Sequence, residues 1–340
     1  LAAIVAWKEQ YEITTSDKVL QAASFSFDVF LGDIGRSLFQ GAELILLDKF
    51  ERKDPDHILK TLINKKISLF ETTPFIIRWW LDIGDIQCDS LRLLIVGSDS
   101  WNLQEMKQLI SKSSDKTTVI SSYGLSETTI DNSFFEISET YPDDIIVPIG
   151  KPMLHSQISI TDKNGNELPK GKEGFLCLDG PCVGRGYFKG DKWTYLSNPW
   201  ITEDRGCLDE YNNFHFLGRS DRQVKIRGQR LELQEIESIL KTFSNHIDWF
   251  VFDYDNGISN ELVTAFTKTI SNEQINDIRG KILQSYPSYY LPAKFIQIEQ
   301  FEMNQNGKVD VEKLRKYTKT LESPKQEISY SDETLDMVKD

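Results

Sequence analysis

Residues 218–237 read GRSDRQVKIRGQRLELQEIE, and this stretch does most to decide the fold. It places a dense series of basic side chains around two glycines, Gly218 and Gly228, in a chain whose formal net charge is −13 at pH 7. A charge run is by itself more typical of a solvated loop than of a binding site, although a basic strip can also meet a polyphosphate. The other motifs of the chain decide between these two interpretations.

Composition excludes a membrane protein and favours several globular units. The chain has 340 residues, 39% of them hydrophobic, and can bury a large core. Its apolar runs, such as LILL at 44–47, are far shorter than the roughly 20 residues that span a bilayer. The first ten residues, LAAIVAWKEQ, lack the basic and apolar regions of a signal peptide, so we expect a cytoplasmic protein with no membrane partner.

Charge and cysteine usage exclude two further classes. The acidic balance, with a pI of about 4.9, would repel a phosphate backbone and argues against nucleic acid as a partner. The four cysteines form no CxxC pair or disulfide framework, and the four histidines are scattered singly. We therefore predict no structural metal site, and any bound phosphate should belong to a small ligand.

Short apolar runs alternate with charged, helix-like intervals from Val19 to about Leu217. This rhythm predicts α/β layers with buried strands. Residues 148–217 begin with glycine, proline and short alternating strands around a turn at Asn164 and Gly165, which predicts a small β-barrel region.

The last third of the chain has a different pattern. Residues 231–243 place apolar side chains at helical spacing, and strand-like runs follow at 249–254 and 262–267. A helix-like stretch at 272–283 comes next. These elements predict a small α+β unit with its own core, followed after Thr320 by a linker.

The stretch at 218–237 resembles the motif GRxDxQVKIRGxRIELGEIE of adenylate-forming enzymes, in particular the adenylation domains of nonribosomal peptide synthetases. The resemblance implies that Asp221 is the hinge on which a carboxy-terminal lid swings, and that Arg219 contacts the nucleotide. Asp204 would bind the ribose hydroxyls. It lies in WITEDRG, where the family has YRTGDLG, so Glu203 stands at the place of a glycine.

Residues 121–129, SSYGLSETT, are similar to the family motif NxYGPTETT. A capped turn is the alternative for such a string. The resemblance implies that Tyr123 stacks on adenine, Ser126 lies near phosphate or magnesium, and Glu127 holds Mg²⁺, which prefers hard oxygen ligands. The nucleotide-binding positions implied in this way are Gly97, Tyr123, Ser126, Asp204, Phe216 and Arg219.

NQNGKVD at 304–310 is similar to the family motif NGKVDR. An NGK turn alone is more often an ordinary hairpin tip. In the family this lysine enters the active site, which makes Lys308 the predicted catalytic residue. Its ammonium would neutralise charge that develops as a carboxylate attacks the α-phosphorus of ATP.

The family's glycine-rich phosphate loop, TSGTTGxPKG, does not occur in these 340 residues. Since the downstream motifs are all present in order, we interpret the chain as a fragment of a longer polypeptide and expect the loop to precede Leu1. We expect the fragment alone to be inactive.

FSFDVF at 25–30 is similar to the family motif that contains the aspartate paired with a substrate α-ammonium. A strand-edge or capping aspartate is the alternative for Asp28.

The resemblance implies a pocket that contains the carboxylates of Glu71 and Asp131. These are costly to bury without a cation, and a cationic substrate side chain would supply one. Gly32 would leave depth for it. Alternatively, Glu71 pairs with Arg78 or water. The implied pocket positions are Asp28, Val29, Gly32, Glu71, Leu94, Val96, Ser122, Ile130 and Asp131, a combination that resembles ornithine-activating domains, with arginine and lysine as alternatives.

The resemblance implies an N-terminally truncated adenylate-forming fold in three parts. Residues 1–217 would be part of the core, 218–320 the lid with its hinge at Asp221, and 321–340 a linker and candidate start of a carrier domain. ATP and Mg²⁺ are the implied cofactors. An amino acid and a peptidyl carrier domain bearing phosphopantetheine are the implied partners. An acyl- or aryl-CoA ligase, which Asp28 disfavours, and a non-catalytic interaction module are the alternatives.

Overall fold

A computed structural model describes residues 1–84, 86–138, 140–154, 156–226, 228–244, 247–257, 259–304 and 309–322 of the chain. The chain divides into two compact units, Leu1–Leu231 and Glu232–Asp340. The division falls later than the predicted boundary at Leu217, so residues 218–231 belong with the first unit. The predicted hinge at Asp221 stays a prediction. Of the linker predicted at 321–340, residues 321 and 322 are the end of a helix, and residues 323–340 lie outside the described residues, as does Lys308.

The helices and strands of the first unit follow the predicted alternation. The helices are α1 (Ala2–Gln10), α2 (Asp28–Ser37), α3 (Pro55–Asn64), α4 (Pro74–Ile83) and α5 (Leu103–Lys112). The first strands are β1 (Lys18–Gln21), β2 (Glu43–Leu46), β3 (Leu69–Thr72), β4 (Leu93–Val96), β5 (Thr118–Tyr123), β6 (Ser133–Phe135) and β7 (Lys151–Pro152). The later strands are β8 (Gln157–Thr161), β9 (Gly174–Asp179), β10 (Gly186–Lys189), β11 (Lys192–Tyr195), β12 (Trp200–Leu208), β13 (Phe214–Arg219), β14 (Gln223–Ile226) and β15 (Gln229–Glu232).

In the described residues, the main sheet has seven strands in the order β2-β1-β3-β4-β5-β6-β7. The pairs from β2 to β5 are parallel, and β6 and β7 run antiparallel to their neighbours. Helix α3, between β2 and β3, begins at a recognisable cap. The side chain of Asp54 accepts hydrogen bonds from two backbone amides at the start of α3, where Pro55 takes the first position.

Two hydrophobic cores lie on opposite faces of this sheet. Successive side chains of a strand point to opposite faces, so Leu69 and Phe70 enter different cores. The core that contains Phe70 also contains side chains of α3, α4 and α5. The core that contains Leu69 includes Trp7 of α1, and Val29 at the start of α2 packs against it. The first unit is therefore the layered α/β structure that the sequence predicts.

The predicted β-barrel region is an open sheet. Within the part of the chain that the structure describes, four antiparallel strands pair in the order β13-β12-β9-β8, and no pairing closes them into a barrel. The hairpins β10–β11 and β14–β15 form separate two-stranded sheets. The alternating pattern identified the strands correctly, but closure depends on pairing between distant strands, which alternation does not specify.

The second unit is a small α+β structure, as predicted. Its elements are α6 (Leu233–Phe243), β16 (Trp249–Asp255), β17 (Asn260–Phe266), α7 (Asn272–Ser285), β18 (Lys294–Gln297) and α8 (Val311–Glu322). The pair β16–β17 is antiparallel and the pair β17–β18 is parallel. Ser271 and Gln274 form a capping box that begins α7. None of the helices in the described residues of either unit is long and apolar enough to cross a membrane.

Candidate active site

Several predicted site residues lie at the carboxyl ends of the parallel strands. Gly97 directly follows β4, Tyr123 is the last residue of β5, and the turn at 126–128 comes next. Open α/β sheets bind their ligands at this edge. A Cβ added to Gly97 would lie 2.5 Å from the Oγ of Ser122, so only glycine permits this close approach of two strands.

Four of the predicted nucleotide residues form one network. Tyr123 is buried, and its hydroxyl donates a 2.7 Å hydrogen bond to Oδ2 of Asp204. Arg219, which is in register with Asp204 on the next strand, donates to Oδ1 of the same carboxylate. The rings of Tyr123 and Phe216 lie 6.4 Å apart between centroids. The network therefore joins an aromatic pair to a buried carboxylate and a guanidinium.

Asp221 is the second partner of Arg219. The guanidinium donates from Nε and Nη2 to the two oxygens of Asp221, at 2.8 and 2.7 Å. Burial raises the pKa of Asp221, but the hydrogen bonds from Arg219 outweigh it and hold the pKa below its ordinary value. Arg219 thus links the predicted ribose ligand, Asp204, to the predicted hinge residue.

The predicted magnesium ligand Glu127 already has a cationic partner. Arg230 donates from Nη1 to Oε1 and Oε2, at 2.7 and 2.8 Å, and the hydroxyl of Tyr187 donates to Oε1 at 2.6 Å. Burial raises the pKa of Glu127, but the hydrogen bond from Tyr187 and the charge of Arg230 hold it below its ordinary value. Glu127 is therefore an ionised carboxylate. The motif identified Glu127, and sequence reasoning missed both partners.

The turn that follows Glu127 has an unusual backbone. Thr129 and Ile130 both have positive φ angles, 64° and 78°. This left-handed region is rare for residues other than glycine and strained for a β-branched side chain such as isoleucine. Gly124 makes the turn possible, because a Cβ there would lie 1.4 Å from the carbonyl oxygen of Ile130. The turn places Asp131 in the interior.

Asp28 begins α2, next to the nucleotide motif. Its Oδ2 accepts a 2.5 Å hydrogen bond from the hydroxyl of Ser126, and its Oδ1 accepts one from the backbone N–H of Val29 at 2.9 Å. The predicted substrate motif and the predicted phosphate motif are therefore in direct contact, although they are far apart in the sequence.

Glu71 and Asp131 are both buried, and both pair with Arg36 of α2. One terminal nitrogen of the guanidinium donates to Glu71 and the other to Asp131. Trp7 lies against the guanidinium, with the ring centroid 4.6 Å from Cζ, and its Nε1 donates to Asp131 at 2.9 Å. The chain itself thus supplies one cation to the two carboxylates, whereas the motif resemblance implied that the substrate side chain would supply it.

The structure corrects two further expectations about the pocket. Arg78 pairs with Glu105 and so is not the partner of Glu71. The space beside Gly32 is occupied, since a Cβ there would lie 3.0 Å from Cδ1 of Ile130 and 3.4 Å from Nη1 of Arg36.

Leu94 and Val96 face away from the carboxylates. In the register of β3 and β4, Ile95 is the partner of Glu71, and Leu94 and Val96 belong to the core on the other face with α3, α4 and α5. Ser122 shares the face of Glu71 and Ile95, because its neighbour Ser121 pairs with Val96. The motif alignment gave the positions of these residues but not the face of the sheet to which each side chain points.

The donor groups fit ATP and Mg²⁺ in part. Asp204 offers a carboxylate for ribose hydroxyls, Tyr123 and Phe216 offer an aromatic pair, and Glu127 offers a hard oxygen ligand. Among the described residues, no three His, Cys, Asp or Glu side chains cluster as a metal site.

Comparison with known proteins identifies the family to which the chain belongs. The model of the family described as AMP-binding enzyme matches residues 1–188. Tyrocidine synthase 3 of Brevibacillus parabrevis is 32% identical over 320 residues, which are 90% of this chain and 5% of that protein. The chain therefore belongs to the family of AMP-binding enzymes, and the resemblance of its motifs to nonribosomal peptide synthetases is confirmed.

Solved structures support the same fold. The structure of holo-PA1221, an NRPS protein containing adenylation and PCP domains, aligns with a TM-score of 0.74 and 22% identity, over 89% of this chain and 53% of that chain. AlmE of Vibrio cholerae, an adenylation domain in complex with glycyl-adenosine-5'-phosphate, aligns with a TM-score of 0.76 and 20% identity, over 93% and 61%. These likenesses confirm the adenylate-forming fold class.

Proposed function

We propose that this chain is the part of an adenylation domain that activates an α-amino acid at the expense of ATP. The substrate carboxylate oxygen bonds to the α-phosphorus, the bond from that phosphorus to pyrophosphate breaks, and aminoacyl-AMP forms. Asp28 would hold the α-ammonium. The observation that supports this most is the hydrogen bond from Ser126 to Asp28, which brings the ammonium ligand to the phosphate motif.

The residues of the first unit would bind and orient the nucleotide. Asp204 would accept hydrogen bonds from the ribose, and Tyr123 and Phe216 would contact the adenine. Glu127 would hold Mg²⁺, which supplies positive charge at the phosphates when bound. Lys308, which lies outside the described residues, would bring an ammonium to the charge that develops on the phosphate and carboxylate oxygens.

The thiol sulfur of phosphopantetheine on a peptidyl carrier domain would then bond to the acyl carbon, the bond from that carbon to the phosphate oxygen would break, and AMP and the thiol proton would be released. Support comes from PA1221, which contains adenylation and PCP domains, and from the similarity to tyrocidine synthase 3. The chain spans 5% of that synthase, so the activity and partners of the whole protein are part of this proposal.

The substrate side chain is proposed to be cationic, as in ornithine. Arg36 supplies one positive charge, whereas Asp33, Glu71 and Asp131 can supply three negative charges. Buried carboxylates without a partner cation take up protons or bind a further cation. Burial, against the opposing effect of Arg36, raises the pKa of Glu71 to about 8. A substrate ammonium would take the place of that proton.

Amino-acid-dependent exchange between ATP and pyrophosphate tests the proposal in the full-length protein, with a panel of amino, aryl and fatty acids. We expect exchange with amino acids, and Asp28→Asn should reduce it at least a hundredfold. Asp115→Asn, at an exposed aspartate, is the matched control. Exchange with aryl or fatty acids alone would refute amino-acid activation, and no exchange with any acid would favour an interaction module.

A Glu71→Gln variant tests the cationic side chain. It removes the ionisable group but keeps its size, so the preference for ornithine over the neutral norvaline should fall at least tenfold. If the preference is unchanged, Glu71 does not select a cation.

A further inference from the structure

Arg36 is a buried cation to which the proposed function assigns no contact with the substrate. Its side chain is fully buried in the first unit, and its terminal nitrogens bond to Glu71 and Asp131. Its Nε has no hydrogen-bond partner among the described residues. Burial of a guanidinium is costly unless paired carboxylates compensate for it, so this position has a specific electrostatic environment.

The groups that face Arg36 come from several elements and are mostly acidic. They are Asp33 from α2 itself, Glu71 from β3, Asp131 from the turn after 128, and Tyr11 after α1. Three carboxylates therefore compete for one guanidinium. Burial also raises the pKa of Asp33, to about 7. The carboxylates around Arg36 therefore outnumber the cation that faces them.

Asp28, Gly32 and Arg36 are spaced four residues apart on α2, so they lie along one side of the helix. Helical side chains point back toward the amino terminus, which brings the guanidinium of Arg36 level with Gly32. The 3.4 Å between Nη1 and the position of a Cβ on Gly32 agrees with this direction. The guanidinium is therefore level with Gly32, whose Cα lies one four-residue step, or about 6 Å along the axis, from the Cα of Asp28.

We propose that Arg36 determines the length of the substrate side chain, because its guanidinium closes the far end of the amino-acid pocket. This inference rests on the proposed function, with Asp28 as the ligand of the α-ammonium. A terminal ammonium would bind at Glu71 and Asp131, beside Arg36. The short span to Asp28 suits the two amines of ornithine or a shorter diamino acid. Lysine is longer by one methylene, and arginine would place its guanidinium where Arg36 already lies.

A conservative variant provides the test in the full-length protein. Arg36→Lys keeps the positive charge and shortens the side chain, so it opens space for one or two more heavy atoms. One methylene in a fitted pocket changes selectivity by about 10- to 200-fold. We expect the ratio of kcat/KM for lysine to that for ornithine, measured by pyrophosphate exchange, to rise at least tenfold. Arg78→Lys is the matched control, since Arg78 pairs with Glu105 elsewhere in the same unit, and its ratio should not change.

The unmodified protein supplies a second test that does not depend on how the variant folds. With 2,4-diaminobutyrate, ornithine, lysine and arginine as substrates, kcat/KM should be highest for ornithine or 2,4-diaminobutyrate and at least tenfold lower for lysine. A preference for lysine or arginine, or an unchanged ratio in Arg36→Lys, overturns the role of Arg36 and leaves amino-acid activation intact. Absence of exchange with every amino acid overturns the proposed function instead.

Discussion

Arg230 donates hydrogen bonds from a single terminal nitrogen to both carboxylate oxygens of Glu127. The guanidinium thereby occupies the oxygens that a magnesium ion would use. Removal of Arg230 should free them, so we expect Arg230→Ala to lower the Mg²⁺ concentration for half-maximal pyrophosphate exchange several-fold.

The magnesium titration needs two comparisons. Glu127→Gln should shift the half-maximal concentration in the opposite direction, upward by about tenfold or more, because the amide is a weaker ligand for a hard cation. Lys107→Ala, which breaks a surface ion pair with Asp143, should leave it unchanged. A rise in Arg230→Ala would mean that Arg230 supports the metal site and does not compete with it.

The hydroxyl of Tyr123 holds Asp204, the predicted ribose ligand, in a buried network. Tyr123→Phe removes this hydroxyl but keeps the ring, so the KM for ATP should rise several-fold. A hydrogen bond to a charged group contributes about 1.5–3 kcal/mol, and the free energy of unfolding should fall by about that amount. Tyr195→Phe, on the exposed hairpin β10–β11, should change neither quantity. If the KM for ATP is unchanged in Tyr123→Phe, the hydrogen bond from Tyr123 to Asp204 does not contribute to nucleotide binding.

Lys308 is predicted to act in catalysis on the strength of its motif alone. Lys308→Ala should lower kcat for pyrophosphate exchange by about 100- to 1000-fold, the range observed when a charge-stabilising donor is removed. The KM values should change much less, because the ammonium acts on charge that develops during the reaction. Lys313→Ala is a suitable control in the same unit, since Lys313 is exposed and pairs with Glu302. If the two variants lower kcat equally, Lys308 has no specific role in catalysis.

Replacement of glycine by alanine should have opposite effects on stability at Gly124 and at Gly280. Gly124→Ala would place a Cβ 1.4 Å from the carbonyl oxygen of Ile130, so the turn that carries Asp131 must move. We expect a loss of several kcal/mol in stability, as for other strained backbone sites. Gly280 lies within α7 with nothing near its Cβ position, so Gly280→Ala should stabilise the chain by about 0.5–1 kcal/mol. Urea denaturation measures both, and a neutral Gly124→Ala would refute the close packing of the turn.

Local sequence patterns predicted the elements well because their signals are local. The helical spacing at 231–243 corresponds to α6, and the runs at 249–254 and 262–267 correspond to β16 and β17. Two of the motif residues, Tyr123 and Asp204, are joined by a hydrogen bond, and their roles in nucleotide binding stay predictions. These features depend on periodicity or on short strings that a single sequence displays.

Long-range pairing was the part that the sequence did not show. Arg36 is separated by 95 positions from Asp131, and Arg230 by 103 positions from Glu127. The spacing of Asp28, Gly32 and Arg36 on one helix contained a signal for Arg36. Its partners, however, come from β3 and from a left-handed turn. Which charges meet in the interior depends on the tertiary fold. The motif positions included the carboxylates of Glu71 and Asp131 but not Arg36, the cation that pairs with them.

The cluster around Arg36 should also make stability depend on pH. Burial raises the pKa of Asp33 to about 7 and that of Glu71 to about 8, whereas in the unfolded chain both carboxyl groups titrate near 4. Between these values the folded chain keeps protons that the unfolded chain has lost. The free energy of unfolding should therefore fall as the pH rises from about 5 to about 8, and level off above that.

Glu71→Gln isolates one of the two groups. The variant cannot ionise at this position, so its free energy of unfolding should fall less steeply between pH 6 and pH 8 than that of the unmodified protein. Burial raises the pKa of Asp17, but hydrogen bonds from Arg92, Thr14 and Ser68 outweigh it and lower the pKa to about 2. Asp17 therefore titrates below this pH range and does not affect the slopes. Urea denaturation at several pH values measures the slopes. Identical slopes would mean that Glu71 is ionised throughout and that Arg36 neutralises it completely.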